Sequence, residues 1–357
     1  MNQNSFDIKL LLNQSLVQKF LTERLLRFAA DDGILKLLAS MKRFHFEEVL
    51  EELRHRFDYQ LQDRTRNRMV KVLLDLLQEC EYLFCENNCY QWRGNGAVNK
   101  NKDWNLKNEE RDIVETFFKG MLDFFEQCIR YSGDFLRGAH PLLNFNNESA
   151  CMWEKFLGNV EFTFARSVLI KLLLFEKKDN GEILDLCYGP GFGLFQIQEH
   201  VPDARLAALD FTDNFYNQAS RRVMNPHSVK WMRSELWKGF GTPLPFKDGT
   251  IDIIFFACAD PYIPSEHREY VYRDLFRILK HGGALGILTQ SLPDYKRKYV
   301  KNRWVRMGNL CHDFSESVCE GWFGFHDAED SLNLFQGIGY HINTIMLNAS
   351  IWRLDKP

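Results

Sequence analysis

The apolar positions change period midway along the chain. Over residues 16–39, Val17, Phe20, Leu21, Leu25, Phe28 and Ala29 fall on one helical face, and Asp32-Gly33 interrupts the run before Ile34. Spacing of three and four is the mark of an amphipathic helix. Further helices are predicted over 46–57 and 66–80. Residues 82–85 and 90–92, separated by Glu86-Asn87-Asn88-Cys89, read as strand, turn, strand. Residues 94–108 are polar, rich in Gly and Asn, and read as a loop. Helical spacing resumes over 109–128, breaks at 137–141 and returns over 153–175. From residue 182 onward the pattern becomes short apolar runs, at 182–186, 204–209, 229–233, 251–256 and 284–288. Helical stretches at 194–200 and 266–279 alternate with them. This alternation predicts an α/β domain with a mostly parallel sheet. Residues 340–347 and 350–354 read as a closing antiparallel hairpin.

One junction carries chemistry. The first apolar run, Glu182-Ile183-Leu184-Asp185-Leu186, runs through Cys187-Tyr188 into Gly189-Pro190-Gly191-Phe192-Gly193 and then a helix. Glycines allow a sharp turn and a close backbone approach to a ligand, and the helix start presents unpaired N–H groups to it. The second run ends at Asp210, where a carboxylate is placed to hold a ribose diol. The segment therefore reads as a nucleoside site.

The order D-L-C-x-G-x-G is not the G-x-G-x-x-G of dinucleotide folds. It resembles motif I of the class I S-adenosyl-L-methionine (SAM) methyltransferases. Three later signals follow in that family's order. Ser234-Glu235 comes after the third run; Leu244-Pro245-Phe246-Lys247-Asp248-Gly249-Thr250-Ile251-Asp252 leads into the fourth; Lys280-His281-Gly282-Gly283 turns into the fifth. The resemblance implies a Rossmann-like, seven-stranded SAM-binding domain. It implies that Gly189, Gly191 and Gly193 give the backbone room and that Asp185 anchors the loop and faces the amino-acid part of SAM. It further implies that Asp210, with Phe211 beside it, holds the ribose and that Glu235 lies near adenine.

Composition narrows the picture without redirecting it. The 357 residues suffice for two domains. A formal net charge of −3 gives no global pointer to nucleic acid. No apolar run reaches membrane-spanning length, and the N-terminus lacks a basic start and apolar core, so a cytoplasmic protein is expected. The nine cysteines are odd in number and scattered, which suits free thiols in a reducing compartment. Neither Cys80, Cys85 and Cys89 nor Cys311-His312 and Cys319 has paired C-x-x-C spacing, so no metal site is expected.

The three N-terminal helices and hairpin read as a winged helix. In context they resemble the dimerisation domain of plant-type small-molecule O-methyltransferases and their bacterial relatives. The implied organisation is a mostly helical winged-helix-like dimerisation domain over 1–95, a helical linker or cap contributing to a substrate chamber over 96–176, and the SAM domain over 177–357. A homodimer is expected. A DNA-binding regulator with a SAM-sensing domain is the competing reading, carried by Arg64, Arg66, Arg68 and Lys71. The apolar Met69, Val70, Leu73, Leu74 and Leu77 on the same helix favour packing instead.

The family pattern departs at the acceptor. Plant-type relatives place a catalytic histidine after the fourth strand; here the stretch is Cys258-Ala259-Asp260-Pro261-Tyr262. Asp260, Tyr262 and Tyr188 are the candidate catalytic residues: Asp260 to accept a proton or orient an amine, the tyrosines to face a sulfonium. Asp260 reads equally as a turn acid, and His267 and His326 as surface residues. Lys296-Arg297-Lys298, Lys301, Arg303 and Arg306 form a basic segment that suits an anionic substrate, with a solvated helix face as the favoured alternative. The expected function is methyl transfer to a small molecule of specialised metabolism, at nitrogen, carbon or an already acidic oxygen. The alternative is intramolecular cyclisation of SAM, as in azetidine-2-carboxylate synthases, releasing methylthioadenosine.

Overall fold

The computed structural model describes residues 14–94, 106–174, 181–292 and 298–357. Packing divides the chain into two compact units, Met1–Asn144 with Val300–Trp322, and Phe145–Tyr299 with Phe323–Pro357. This is a cut by contact. The sequence reading cuts by role, at 95 and 176.

The first unit opens with α1 (Gln14–Asp31) and α2 (Ile34–Met41), separated where Gly33 takes φ 80°. Strand β1 (Arg43–His45), α3 (Phe46–Phe57), α4 (Arg64–Glu79), β2 (Leu83–Glu86) and β3 (Cys89–Trp92) follow. The two hairpin strands pair with each other, and β1 adds to β3 through Phe44↔Tyr90. Asp63 caps α4 by accepting the Arg66 N–H at 2.9 Å. Met69, Val70, Leu73, Leu74 and Leu77 are buried, as their spacing predicts. The basic residues on that helix are largely committed within the unit. Arg66 pairs with Asp63 and donates to the carbonyls of Phe135 at 2.6 Å and Ala139 at 2.8 Å. Arg68 forks onto Asp313, and Lys71 pairs with Asp75.

The helix expected over 109–128 is two, α5 (Asn108–Phe117) and α6 (Lys119–Leu136). The chain departs from helical angles at Phe118 (φ −114°, ψ 16°), which sends that ring into the core while Phe117 stays 53% exposed.

The second unit begins with α7 (Ala150–Leu157) and α8 (Val160–Leu174). Then come β4 (Glu182–Leu186), α9 (Phe192–His200), β5 (Arg205–Leu209), α10 (Tyr216–Arg222), β6 (Val229–Met232), β7 (Ile251–Ala257), α11 (Arg268–Ile278), β8 (Leu279–Leu288) and β9 (Ser291–Leu292). The chain next contributes α12 (Arg303–Glu316) to the first unit. It returns as β10 (His326–Asp327), α13 (Ala328–Ile338), β11 (His341–Met346) and β12 (Ile351–Asp355). The seven-stranded sheet runs β11-β12-β8-β7-β4-β5-β6. Five strands are parallel; β12 and β11 add antiparallel at one edge. The central strands are buried on both faces, hence their continuous apolar runs. Helix α8 lies close on β8 because Gly286 has no side chain; a Cβ there would stand 2.5 Å from Leu173 Cδ1. The chain winds outward from β4 to β5 and β6, then restarts on the other side at β7. The carboxyl ends of β4, β5 and β7 thus surround a topological switch point, where ligands bind in such sheets. No helix among the described residues is long and apolar enough to cross a membrane.

Helix α12 explains part of the basic segment. Residues Arg306 through Glu316 are all buried. Arg306 forks onto Glu79, with both N···O distances 2.9 Å, and donates to the carbonyls of Val300 and Lys301. Arg303 bonds the Glu79 carbonyl and pairs with Glu81 at 3.0 Å. Both arginines fasten α12 to α4; Arg306 is buried there rather than part of a solvated face, whereas Arg303 stays partly exposed. Lys296 and Arg297 lie outside the described residues. Truncating Arg306 strands a nearly buried carboxylate, so Arg306→Ala is expected to cost on the order of 3 kcal/mol, read as a lowered urea midpoint for the first unit.

Candidate active site

At the end of β4 the chain stops being a strand within one residue. Cys187 takes φ 59° while its N–H bonds the carbonyl of Leu209, at the end of β5, at 2.7 Å. Gly189 (φ 46°) and Gly191 (φ 82°) complete the turn, and Gly191 is the N-cap of α9. Two glycines are demanded by space. A Cβ on Gly191 would lie 2.7 Å from Ala219 Cα, and one on Gly193 would lie 2.6 Å from Asp185 Oδ2 and 2.7 Å from Phe255 Cε1. Beside Gly189, by contrast, a Cβ would meet nothing within 4 Å. The turn is tight against the protein at its helix end and open at its first glycine.

Two carboxylates sit under it. Asp210, at the tip of β5, is 3% exposed and accepts the N–H of Gly189 at 3.0 Å and of Thr212 at 3.4 Å. Burial outweighs those donors and pushes its carboxyl up to about 7. Asp185 is 2% exposed. Burial, then the charge of Asp210, raises its carboxyl well above the usual range, although the Leu194 N–H bonds it. Its Oδ2 is buried with no hydrogen-bond partner. Arg166, a buried cation of α8, attracts it, but the Arg166 donors are spent on Gln196, Leu157 and Thr163. An orphaned buried carboxylate oxygen, a second acid ready to ionise and an open glycine together fit SAM, which brings an ammonium, a sulfonium and a ribose diol.

The other sequence candidates divide between two places. Tyr188 is buried edge-on to Trp231 at 5.4 Å, and Tyr216 meets the same indole at 5.2 Å. Burial and the nearby Asp210 and Asp213 raise its phenol. Glu235 is exposed in a short 3-10 turn after β6 that Asp213 fastens by accepting the Ser234 N–H at 3.1 Å. Phe211 and Tyr262 belong to an aromatic wall. Phe145 lies 5.2 Å from Phe211, 5.1 Å from Tyr262 and 5.3 Å, stacked, from Trp153. Asn214 holds Phe145 by its carbonyl at 2.7 Å.

Asp260 points away from that wall, into a buried network. Arg268 binds it at 3.2 and 3.4 Å, and the Tyr272 hydroxyl donates to it at 2.5 Å. Burial favours its neutral form, but Arg268, His326 and Tyr272 overcome this and hold the carboxyl below the usual range. A carboxylate so stabilised is a weak proton acceptor. His326, read as a surface residue, is half-buried in β10 against β9 and faces this network. His267 is exposed. No metal-binding cluster occurs among the described residues. The wall residues Phe145 and Trp153 and the cation Arg166 escape sequence reading. Only Arg166 leaves a local trace, as a lone charge in the apolar stretch Phe162-Thr163-Phe164-Ala165-Arg166-Ser167-Val168-Leu169.

The contact between Gly193 and Asp185 makes a direct prediction. Gly193→Ala forces Phe255 and the orphaned carboxylate to shift and should cost about 1–3 kcal/mol, seen as a lower melting temperature. Gly189→Ala meets no neighbour, so its cost should be confined to the strained φ, on the order of 1 kcal/mol.

Comparison with known proteins agrees with this fold. The family described as "Methyltransferase domain" matches residues 183–283. The demethylmenaquinone methyltransferase of Listeria welshimeri is 28% identical over 145 residues, 40% of this chain and 58% of that one. The chain thus spans little more than half the length of the curated relatives it matches. Among solved structures, the CurJ carbon methyltransferase superposes with a TM-score of 0.65 at 14% identity, covering 94% of this chain and 91% of that one. An O-methyltransferase family 2 protein from Planctomyces limnophilus, in complex with apigenin, gives 0.56 at 11% identity, covering 97% and 94%. Residues 183–283 are therefore a methyltransferase domain, built on the fold of the class I SAM-dependent methyltransferases.

Proposed function

We propose that the protein transfers the methyl group of SAM to a small molecule at a carbon, a nitrogen or an already acidic oxygen, with carbon favoured. The observation that carries this reading is the pair of buried acids on adjacent strand ends, one with an orphaned oxygen, beside an aromatic wall. When bound, SAM supplies an electrophilic methyl on a sulfonium. Asp210 accepts from the ribose hydroxyls, and Asp185 takes the ammonium end. Tyr188 packs on the nucleoside side, where Glu235 lies nearest the adenine edge. Phe145, Trp153, Phe211 and Tyr262 exclude water and hold a flat or apolar acceptor in line. The Tyr262 hydroxyl, the wall's one group that can both donate and accept, orients the acceptor. Asp260 acts on the acceptor side indirectly, by holding the turn that carries Tyr262. A site with so little basicity suits an acceptor that needs no strong base. Demethylmenaquinone and benzoquinol methylases among the relatives, and carbon methyltransferases among the structural neighbours, support the same class.

The N-terminal helix–strand–helix–helix–hairpin order we read as a winged helix that packs subunits into a homodimer. DNA binding is disfavoured because Arg66, Arg68 and Lys71 are engaged within the chain. The free cysteines suit a cytoplasmic setting.

Two measurements test the reading. The proton on Asp210 opposes ribose binding, and the native carboxyl, unlike the unfolded one, keeps that proton up to about pH 7. S-adenosylhomocysteine affinity should therefore rise by up to about tenfold from pH 6 to pH 8 and then level off. In Asp210→Asn the affinity should be lower and the pH slope absent. Incubation with SAM alone, followed by mass spectrometry, tests the reaction type. S-adenosylhomocysteine appearing only with an added acceptor is expected; enzyme-dependent methylthioadenosine without one would establish the cyclising alternative instead.

A further inference from the structure

The glycine turn and the aromatic wall are joined by one side chain that plays no part in the site as described. Arg222 is the last residue of α10. Its Nε donates to the carbonyl of Pro190, inside the turn, at 2.9 Å. Its guanidinium stands 3.7 Å from the centroid of Phe192, the first residue of α9. Its Nη2 pairs with Glu154. Glu154 belongs to α7 and is the immediate neighbour of Trp153, whose ring stacks on Phe145 in the wall. Gln218, one turn earlier on α10, donates to the second oxygen of Glu154 at 3.2 Å.

The far end of α7 is tied to the same ring. Gly158 is its C-cap, and a Cβ there would lie 2.8 Å from Phe192 Cζ. Arg166 places a second guanidinium 4.9 Å from the Phe192 centroid and bonds the Leu157 carbonyl at 2.9 Å. Phe192 thus sits between cations anchored to the middle and to the C-terminal end of the wall helix. Cation–aromatic contacts of this kind strengthen as water is excluded.

We propose that Arg222 is a positioning residue that makes the wall helix α7 answer to occupancy of the glycine turn. The inference rests on the SAM reading of that turn. Neither end of the linkage is optional. A guanidinium is a planar fork able to hold a carbonyl, a carboxylate and a ring face at once; an ammonium is a point charge that cannot. Ordering of Pro190 by a nucleoside ligand would be passed through Arg222 to Glu154, and so to Trp153 and the acceptor wall. The coupling is reciprocal, so loosening α7 must weaken the ligand.

Hydrogen exchange with and without S-adenosylhomocysteine, read on peptides covering 150–157 and 186–193, tests this, with affinity measured by calorimetry. In the native protein the ligand should protect both peptides. Arg222→Gln should bind about tenfold more weakly, the scale of a lost charged hydrogen bond, and show no ligand-induced protection of 150–157. Arg222→Lys should behave like Arg222→Gln. Glu154→Gln should keep protection of 186–193 and lose it in 150–157, a separation that a general loss of stability would not produce. Native affinity in Arg222→Gln, or unchanged protection of 150–157 in both variants, overturns the proposal. If the native protein fails to bind S-adenosylhomocysteine, the SAM reading falls on its own. The linkage is then judged without ligand: Arg222→Gln should speed exchange in both peptides, and no change in either refutes it. Should Arg222→Gln not fold, Glu154→Gln and Arg222→Lys carry the same comparison.

Discussion

The carboxyl end of the sheet is governed by the cost of holding two carboxylates out of water. Asp185 and Asp210 stand on adjacent strands, which pair in parallel through Asp185↔Ala208 and Leu186↔Leu209. Burial of either charge is expensive unless donors or a counter-charge compensate it. The surrounding chain supplies part of that compensation. The first turn of α9 gives Asp185 an amide; the glycine turn and the loop after β5 give Asp210 two; α8 brings Arg166 within electrostatic range. The compensation is incomplete, as the raised carboxyls and the orphaned Oδ2 record. What remains wanting is positive charge and hydroxyl donors. A ligand carrying both completes the site, and a neutral planar one does not. The absence of a side chain at Gly193 follows from the same constraint, since Asp185 occupies the space a methyl group would need.

The other half of the site is built on the opposite principle. Phe145, Trp153, Phe211 and Tyr262 present rings rather than charges, packed mostly edge to face, which suits the electrostatics of aromatic pairs. The acid of this region, Asp260, is turned away and neutralised by Arg268. A pocket holding two buried carboxyls and a nearly uncharged wall therefore meet at the strand ends. That contrast suits a reaction in which one partner arrives as a cation and charge is consumed at the transfer step.

How much of this was legible beforehand depended on the range of the interaction. The strands of the parallel sheet, the glycine turn, Asp210 and the break at Gly33 are local in sequence, and they lie where apolar runs and turn residues put them. The break at Phe118 was not legible, because continuous helical spacing on both sides hides which ring the core will accept. Phe145 and Trp153 carry no local signature of a site; they join one only through their ring contacts with Phe211, just after β5, and Tyr262, after β7. The buried place of Arg306 was not legible for the same reason: its partner, Glu79, lies more than two hundred positions earlier. Asp260 could be given either role from its position, and only its partners decide how basic it is.

The first unit takes its last helix from a stretch inserted between the sheet's fifth parallel strand and its antiparallel edge. Along α12, Gly308 lets Gln18 approach so closely that a Cβ would be 2.6 Å away, and Phe314 meets Phe28 at 5.7 Å. The polypeptide therefore crosses between the units three times, near 144, 299 and 322. A gene fragment ending near residue 144 would encode a unit without its last helix, and the complementary fragment would carry that helix without the partners that bury it. The two halves are not exchangeable modules. Separating either one from the other requires a second, coordinated cut, because each is built from two stretches of the chain.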